Sequence, residues 1–247
     1  MNKKTFLIAF AASFALALLG GGLYRQSAAA DISNAAAAAS PLLVSPASAT
    51  EIFRGDISKR QVIFTFDAGG STESADRVLE TLAKHQVRGT FFVTGEMVES
   101  HPDLVARVKA GGHEIFNHTY DHPNLTMVSD EGIAEELNKM KKSLESVVGT
   151  SSMPYFRAPY GERDVRVREV AARAGYQSVY WTVDALDWAV GRGETASRVR
   201  ERILSSLAPG NIYLMHVGDG ITGEILDEVF TSIESRGYAI VSLTQGL

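Results

Sequence analysis

The chain has 247 residues, 45% hydrophobic and 21% charged, enough for one large α/β domain with a buried core. Its formal charge is −5, and residues 1–30 hold Lys3, Lys4 and Arg25 but no acid, so the rest carries 21 basic against 29 acidic residues, or −8. That balance argues against a nucleic-acid partner, whose affinity rests on Lys and Arg contacts to phosphate, and the lack of cysteine excludes disulfides, thiolate metal sites and a cysteine nucleophile. Any metal must be held by His, Asp or Glu.

Lys3 and Lys4 precede an almost unbroken apolar run from Phe6 to Leu19, and Ala28-Ala29-Ala30 offers small residues for cleavage before Asp31. Residues 1–30 are therefore expected to be a secretory signal, the alternative being an uncleaved anchor over residues 6–23, the chain's only expected contact with a membrane. The expected location is periplasmic, cell-wall or secreted. Residues 31–59 are rich in Ala, Ser and Pro, lack helical or strand periodicity and read as a tether. The working domain is expected over 60–247, as a monomer.

From there, short β-branched or aromatic runs alternate with amphipathic stretches. The pattern predicts strands at Val62–Phe66, Thr90–Val93, His113–Phe116, Tyr155–Arg157, Ser178–Trp181, Ile212–Met215 and Ala239–Val241. Ile133, Leu137, Met140, Leu144 and Val147 form a helical core stripe closed by Gly149. Val199, Ile203, Leu204 and Leu207 form a second stripe, and Ile225, Leu226, Val229, Phe230 and Ile233 a third. Strands alternating with helices imply a mostly parallel sheet with helices outside, either a closed (β/α) barrel or an open doubly wound sheet. In both, active sites lie at the C-terminal edge of the strands.

The polar clusters fall at that edge. Asp67 ends the first strand before Gly69 and Gly70; alone, it is equally a turn former, a helix cap or a catalyst. His118 and His122 follow the third strand, four residues apart beside Asn117 and Asp121, a spacing that suits two ligands of one divalent metal. Pro123 disfavours helical geometry at His122, so the pair should sit on an irregular loop. His85 and His101 fall at helix edges and are expected to be solvated, whereas His113 at a strand start reads as a hydrogen-bonded structural residue. Arg157, at a strand end, is either a surface cation or, if buried near Asp67, the group that keeps that carboxylate ionised. Trp181-Thr-Val-Asp-Ala-Leu-Asp-Trp supplies Asp184 and Asp187, the latter either a turn cap or functional. His216 is delivered from a hydrophobic strand, and with Asp184 available to orient it, it suits general acid chemistry.

With these residues assembled, the chain resembles the polysaccharide deacetylases of the NodB-homology type, carbohydrate esterases that remove acetyl groups from sugar polymers. The resemblance spans roughly residues 60–247 and rests on five ordered motifs: Thr-Phe-Asp-Ala-Gly at 65–69, His-Thr-Tyr-Asp-His at 118–122, Arg-Ala-Pro-Tyr at 157–160, Asp-Ala-Leu-Asp-Trp at 184–188 and Leu-Met-His at 214–216. It implies an α/β fold, a distorted (β/α) barrel of about seven parallel strands with outer helices in a single domain. It also implies that His118 and His122 hold a divalent metal, zinc first with cobalt or nickel as substitutes, and that Asp67 is the general base kept ionised by Arg157. The backbone N–H of Tyr160 would stabilise the oxyanion, His216 tuned by Asp184 would be the general acid, and Trp188 and Leu214 would wall the acetyl methyl. The implied partner is a polysaccharide, with peptidoglycan as the default for an exported single-domain enzyme.

One departure matters. Family members commonly read Thr-Phe-Asp-Asp-Gly, with the second acid completing a two-histidine, one-carboxylate metal triad, and here that position is Ala68. Either water fills the place, a carboxylate such as Glu73, Glu96 or Asp121 reaches in, or Asp67 ligates directly. Ala68 also keeps open a non-catalytic glycan-binding pseudoenzyme; a hydrolase of another non-peptide amide on the same scaffold is a third alternative.

Overall fold

All eight residues of β1 (Gln61–Ala68) are buried in the computed structural model, which describes residues 49–247. A strand covered on both faces reads as a near-continuous apolar run, and only a parallel sheet with helices around it buries such a strand. Because side chains alternate across a strand, Val62, Phe64, Phe66 and Ala68 face the helix layer, where they join the largest apolar cluster. Ile63 joins an inner cluster with Phe92, Phe116, Ile212 and Leu243. Thr65 and Asp67 share the face of Ile63, which points inward.

Around β1 run β2 (Thr90–Val93), β3 (Glu114–Asn117), β4 (Tyr155–Phe156), β5 (Gln177–Ser178), β6 (Val183–Asp184), β7 (Ile212–His216) and β8 (Ala239–Val241). Their order is β5-β4-β3-β2-β1-β7-β6, β8 pairs with the start of β1, and every pairing is parallel. The sheet curls into a half-barrel with helices around it, the distorted (β/α) barrel expected. Its strands number eight: β6 is a two-residue pairing with β7 that carries no periodicity of its own, and the run expected at Ser178–Trp181 is realised only as Gln177–Ser178.

The helices are α1 (Ala75–Lys84), α2 (Gly95–Ser100), α3 (Pro102–Ala110), α4 (Asp130–Val148), α5 (Val165–Arg173), α6 (Ala196–Ser205), α7 (Gly220–Ser235) and α8 (Leu243–Gly246). Ser129 caps α4 by accepting from Gly132 N, and Gly149 ends it at φ 64°, a left-handed turn that glycine adopts without a Cβ clash. Its core stripe is Ile133, Leu137, Met140 and Leu144, while Val147 is exposed one turn too far round. In the second stripe Val199 and Ile203 are buried, whereas Leu204 and Leu207 pack only partly. All five residues of the α7 stripe are buried.

Two expectations are corrected. Residues 51–56, read as tether, belong to the domain: Ile52 bridges Val179, Arg54 bridges Asn211, and Glu51 binds Arg163 through both carboxylate oxygens. His85 is not solvated; its side chain is 8% exposed, with Nε2 2.8 Å from Asp227 and Nδ1 2.9 Å from Glu234, which ties α1 to α7. His101 is half-buried between α2 and α3, and His113 accepts a hydrogen bond from Gly89 N, the structural role expected of it. The predicted signal lies outside the described residues.

Candidate active site

Asp67 and His216 are register partners on β1 and β7, so the parallel pairing sets two ionisable groups side by side at the C-terminal edge. Behind them, Arg157 is fully buried, which removes the surface-cation alternative. Its Nη1 donates to Asp67 Oδ1 at 2.7 Å and to Thr65 Oγ1 at 2.9 Å, Nη2 donates to Tyr180 O, Nε donates to Val179 O, and the guanidinium lies over Phe92. Burial pushes the Asp67 carboxyl up, but the charge of Arg157, aided by that of His216, outweighs it and holds Asp67 below its ordinary value. The carboxylate stays ionised, with Oδ2 turned to the histidines.

The loop after β3 carries His118 and His122, with Thr119 at φ 66° and His122 at φ 59°, left-handed conformations that non-glycine residues adopt only when held. His118 Nδ1 lies 2.9 Å from Arg157 O; a carbonyl only accepts, so Nδ1 carries the proton and Nε2 keeps its lone pair. That Nε2 lies 3.2 Å from His122 Nε2 and 3.5 Å from Asp67 Oδ2. Burial lowers His118, and burial followed by the neighbouring His118 pulls His122 down to about 4, so both rings are neutral at physiological pH.

This donor set fits a divalent cation. Two tetrahedral ligands at the usual zinc–nitrogen length of ~2.0–2.1 Å stand about 3.3 Å apart, which matches the separation of the two Nε2 atoms, and Asp67 Oδ2 faces them. Ala68 is buried beside them with its methyl in the apolar layer. Of the carboxylates considered as replacements, none lines the site: Asp121 lies 3.8 Å from Lys139 Nζ, Glu96 is exposed on α2, and Glu73 sits beside Gly220. Gly69 is required where it stands, since a Cβ there would come within 2.8 Å of Thr94.

The partner of His216 differs from the expectation. Asp187, not Asp184, meets its Nδ1, at 2.9 Å, and also accepts His216 N at 2.7 Å and the hydroxyl of Thr222. Asp187 is fully buried. Burial lowers the His216 pKa, but the hydrogen bond and charge of Asp187, aided by Asp67, more than reverse this and raise it to about 9. Asp184 instead accepts from Leu186 N at 2.8 Å and lies within 3.3 Å of Trp188 Nε1, and burial raises its pKa. Leu186, at φ 60°, reverses the chain between the two acids and sends them in different directions. Asp187, His216 and Asp219 also form a cluster that could hold a cation. Both oxygens of Asp187 already accept two hydrogen bonds, which makes it a clamp for His216 rather than a free ligand.

A cleft of about 380 Å³ brings together Asp67, His118, His122, Tyr160, Asp184, Trp188, Leu214 and His216, every predicted site residue except the buried Arg157. Trp181, Gly161 and Arg192 also line it, and sequence reasoning missed them. Tyr160 adopts φ 58° and sets its ring edge-on to His122 at 4.6 Å. Trp188 is 39% exposed on the cleft wall under the Arg192 guanidinium. A carboxylate base, a protonated histidine and two neutral imidazoles around one cleft define a hydrolytic centre.

The polysaccharide deacetylase family model matches residues 54–179. The peptidoglycan-N-acetylmuramic acid deacetylase PdaA of Bacillus subtilis is 32% identical over 191 residues, covering 77% of this chain and 73% of its own. Its solved structure superposes with a TM-score of 0.76 at 31% identity, over 80% of this chain and 85% of that one. A chitooligosaccharide deacetylase of Rhizobium leguminosarum bv. trifolii is 32% identical over 200 residues, 75% of this chain and 91% of its own. The structure of a family 4 carbohydrate-esterase pseudoenzyme from Bacillus anthracis is also similar, with a TM-score of 0.75 at 29% identity over 81% of this chain and 69% of that one. The chain belongs to the polysaccharide deacetylase family, hydrolases acting on carbon–nitrogen bonds other than peptide bonds.

Proposed function

We propose that the protein is an exported, metal-dependent enzyme that hydrolyses the acetamide of N-acetylated sugars in a polysaccharide, with peptidoglycan as the first candidate. The observation that carries this reading is the convergence of Asp67 Oδ2, His118 Nε2 and His122 Nε2 beside the His216 imidazole. His118 and His122 would hold the metal, with Asp67 within reach. A divalent ion there, zinc or in its place cobalt or nickel, supplies a Lewis acid for the carbonyl oxygen and makes bound water more acidic.

The chain's own groups perform the proton transfers. Asp67, ionised because Arg157 binds its other oxygen, takes a proton from the attacking water. The backbone N–H of Tyr160, held at the cleft by its left-handed conformation, donates to the oxyanion. His216, protonated at neutral pH, gives its Nε2 proton to the departing nitrogen, because an amide anion is a poor leaving group. Asp187 keeps Nδ1–H in place throughout. Trp181, Trp188 and Leu214 exclude water from the acetyl methyl. The products are acetate and a sugar amine. The signal expected at residues 1–30, and relatives named for peptidoglycan, support an extracytoplasmic polymer.

A second reading is favoured by Ala68 and by the similar pseudoenzyme: glycan binding without turnover. Acetate release from N-acetylglucosamine oligomers and from peptidoglycan fragments, with zinc or cobalt added and again after chelation, separates the two. Release that chelation abolishes supports the enzyme; glycan binding with no release under any metal supports the pseudoenzyme.

A further inference from the structure

Glu136 lies on α4, outside every motif that marks the site, yet its Oε2 accepts the backbone N–H of both Tyr120 and Asp121, each at 2.9 Å. Those two residues are the middle of the loop that joins His118 to His122. α2 also holds the loop, since Thr119 O accepts Gly95 N, Tyr120 O accepts Glu96 N and the Tyr120 hydroxyl donates to Glu99, but among the described residues Glu136 alone accepts the N–H groups of Tyr120 and Asp121. Thr119 and His122 are both left-handed, Asn117 Oδ1 accepts Thr119 N, and Thr119 Oγ1 accepts His122 N at 3.2 Å. Two consecutive peptide N–H groups that converge on one carboxylate oxygen form a concave anion seat. Here a side chain from a neighbouring helix fills it.

The geometry points to Glu136 as the positioning residue of the histidine pair: by clamping the two peptides between them, it sets the approach of His122 Nε2 to His118 Nε2 and hence the affinity for a divalent metal. The inference rests on the metal-binding reading proposed above. Rotation of either clamped peptide would swing the His122 backbone, held at φ 59°, and carry its ring away from His118. The interaction is charge-assisted, so it is stronger than a neutral hydrogen bond in the same place. α4 is itself anchored, by its Ser129 cap and by the buried Ile133, Leu137 and Met140 that flank Glu136 on the helix, so the carboxylate is presented from a rigid base.

Outer groups that orient metal ligands typically change affinity by roughly 10–100-fold when removed. The test is zinc titration of the full chain against a chromophoric chelator, with the visible spectrum of the cobalt form as a readout of ligand geometry. Glu136→Ala is expected to weaken zinc binding at least about tenfold and to alter the cobalt spectrum while the thermal transition is retained. Glu135→Ala, an exposed change on the same turn, is expected to leave both as in the wild type. Should Glu136→Ala fail to fold, Glu136→Asp replaces it: the charge remains but stands one methylene short of the loop, and the same weakening is expected. Wild-type zinc affinity and an unchanged cobalt spectrum in the folded variant would overturn the inference. If the wild type binds no zinc, the metal reading fails by itself, and the nitrogen shifts of the two imidazoles in the metal-free chain decide the positioning role. Glu136→Ala is expected to move them and Glu135→Ala to leave them; shifts unmoved by Glu136→Ala would overturn the role.

Discussion

Asp187 Oδ1 stands 2.9 Å from His216 Nδ1, and the same carboxylate accepts the backbone N–H of His216, so one buried acid fixes both the ring and the strand end that carries it. An acid that only oriented the ring could be replaced by a carbonyl. This one also raises the pKa to about 9, which keeps the ring protonated at neutral pH, as the proposed general acid requires.

Asp187→Asn should therefore shift the pH dependence of hydrolysis rather than merely lower it. In the proposed mechanism the protonated His216 is the active form, so rate falls as pH rises through its pKa; the variant's descending limb should move toward acid, with kcat reduced on the order of a hundredfold or more near neutrality. The linkage has the same sign: a raised pKa stabilises the fold fully below the unfolded value near 6.5 and loses that contribution as pH rises through about 9. Asp184→Asn should leave the descending limb where it is. A pH profile of kcat for the three proteins distinguishes them.

Arg157→Met should destabilise the domain by about 3–5 kcal/mol, because it leaves the Asp67 carboxylate buried without its cation. The folded pKa of Asp67 is held low, so this contribution is present above its ordinary value of 3.8 and lost as pH falls through the folded pKa. Urea unfolding at neutral pH should show the full difference, and unfolding in acid a smaller one.

Ala68→Asp should tighten zinc binding on the order of tenfold by adding a charged ligand beside the imidazoles. The methyl it replaces packs in the apolar layer with Val93 and Met97, so part of the gain is offset by the cost of burying a carboxylate there. Zinc titration and acetate release measured together give the answer. A variant that gains neither shows that the site is already complete without a second acid.

Trp188→Ala should raise KM for a glycan substrate roughly fivefold while changing kcat little, since an aromatic face on a binding wall contributes ~1 kcal/mol beyond area burial. Trp188 is half-exposed on the cleft wall, and its loss opens no core cavity. Steady-state kinetics on a soluble oligosaccharide check it.

Much of this was legible in the residues. The apolar run of β1 reads as a strand buried on both faces, and the core positions of α4 and α7 follow from spacing alone. The histidine pair is local enough that four residues and a following proline predict an irregular loop, which is what forms, with His122 at φ 59°. Other features had no local signal. β6 is held only by its neighbour β7, and residues 51–56 read as tether because their pairing partners, Val179 and Asn211, lie far along the chain. Asp184 and Asp187 are chemically the same, so only the left-handed turn at Leu186 tells which one His216 receives.

The sequence by itself determined which residues stand at strand ends, because a parallel sheet with right-handed crossovers delivers all of its C-terminal ends to one edge, and the order of the motifs is the order of those ends. It also determined the absence of a second acid at Ala68. Only the tertiary structure decided the pairings across that edge: Arg157 on Asp67, Asp187 on His216, and Glu136 on the loop between the histidines. The reason is range. Hydrophobic periodicity is written over three or four residues, whereas a hydrogen bond is made or lost over a few tenths of an ångström, set by register and turn geometry between segments that meet only once the sheet has curled into its half-barrel.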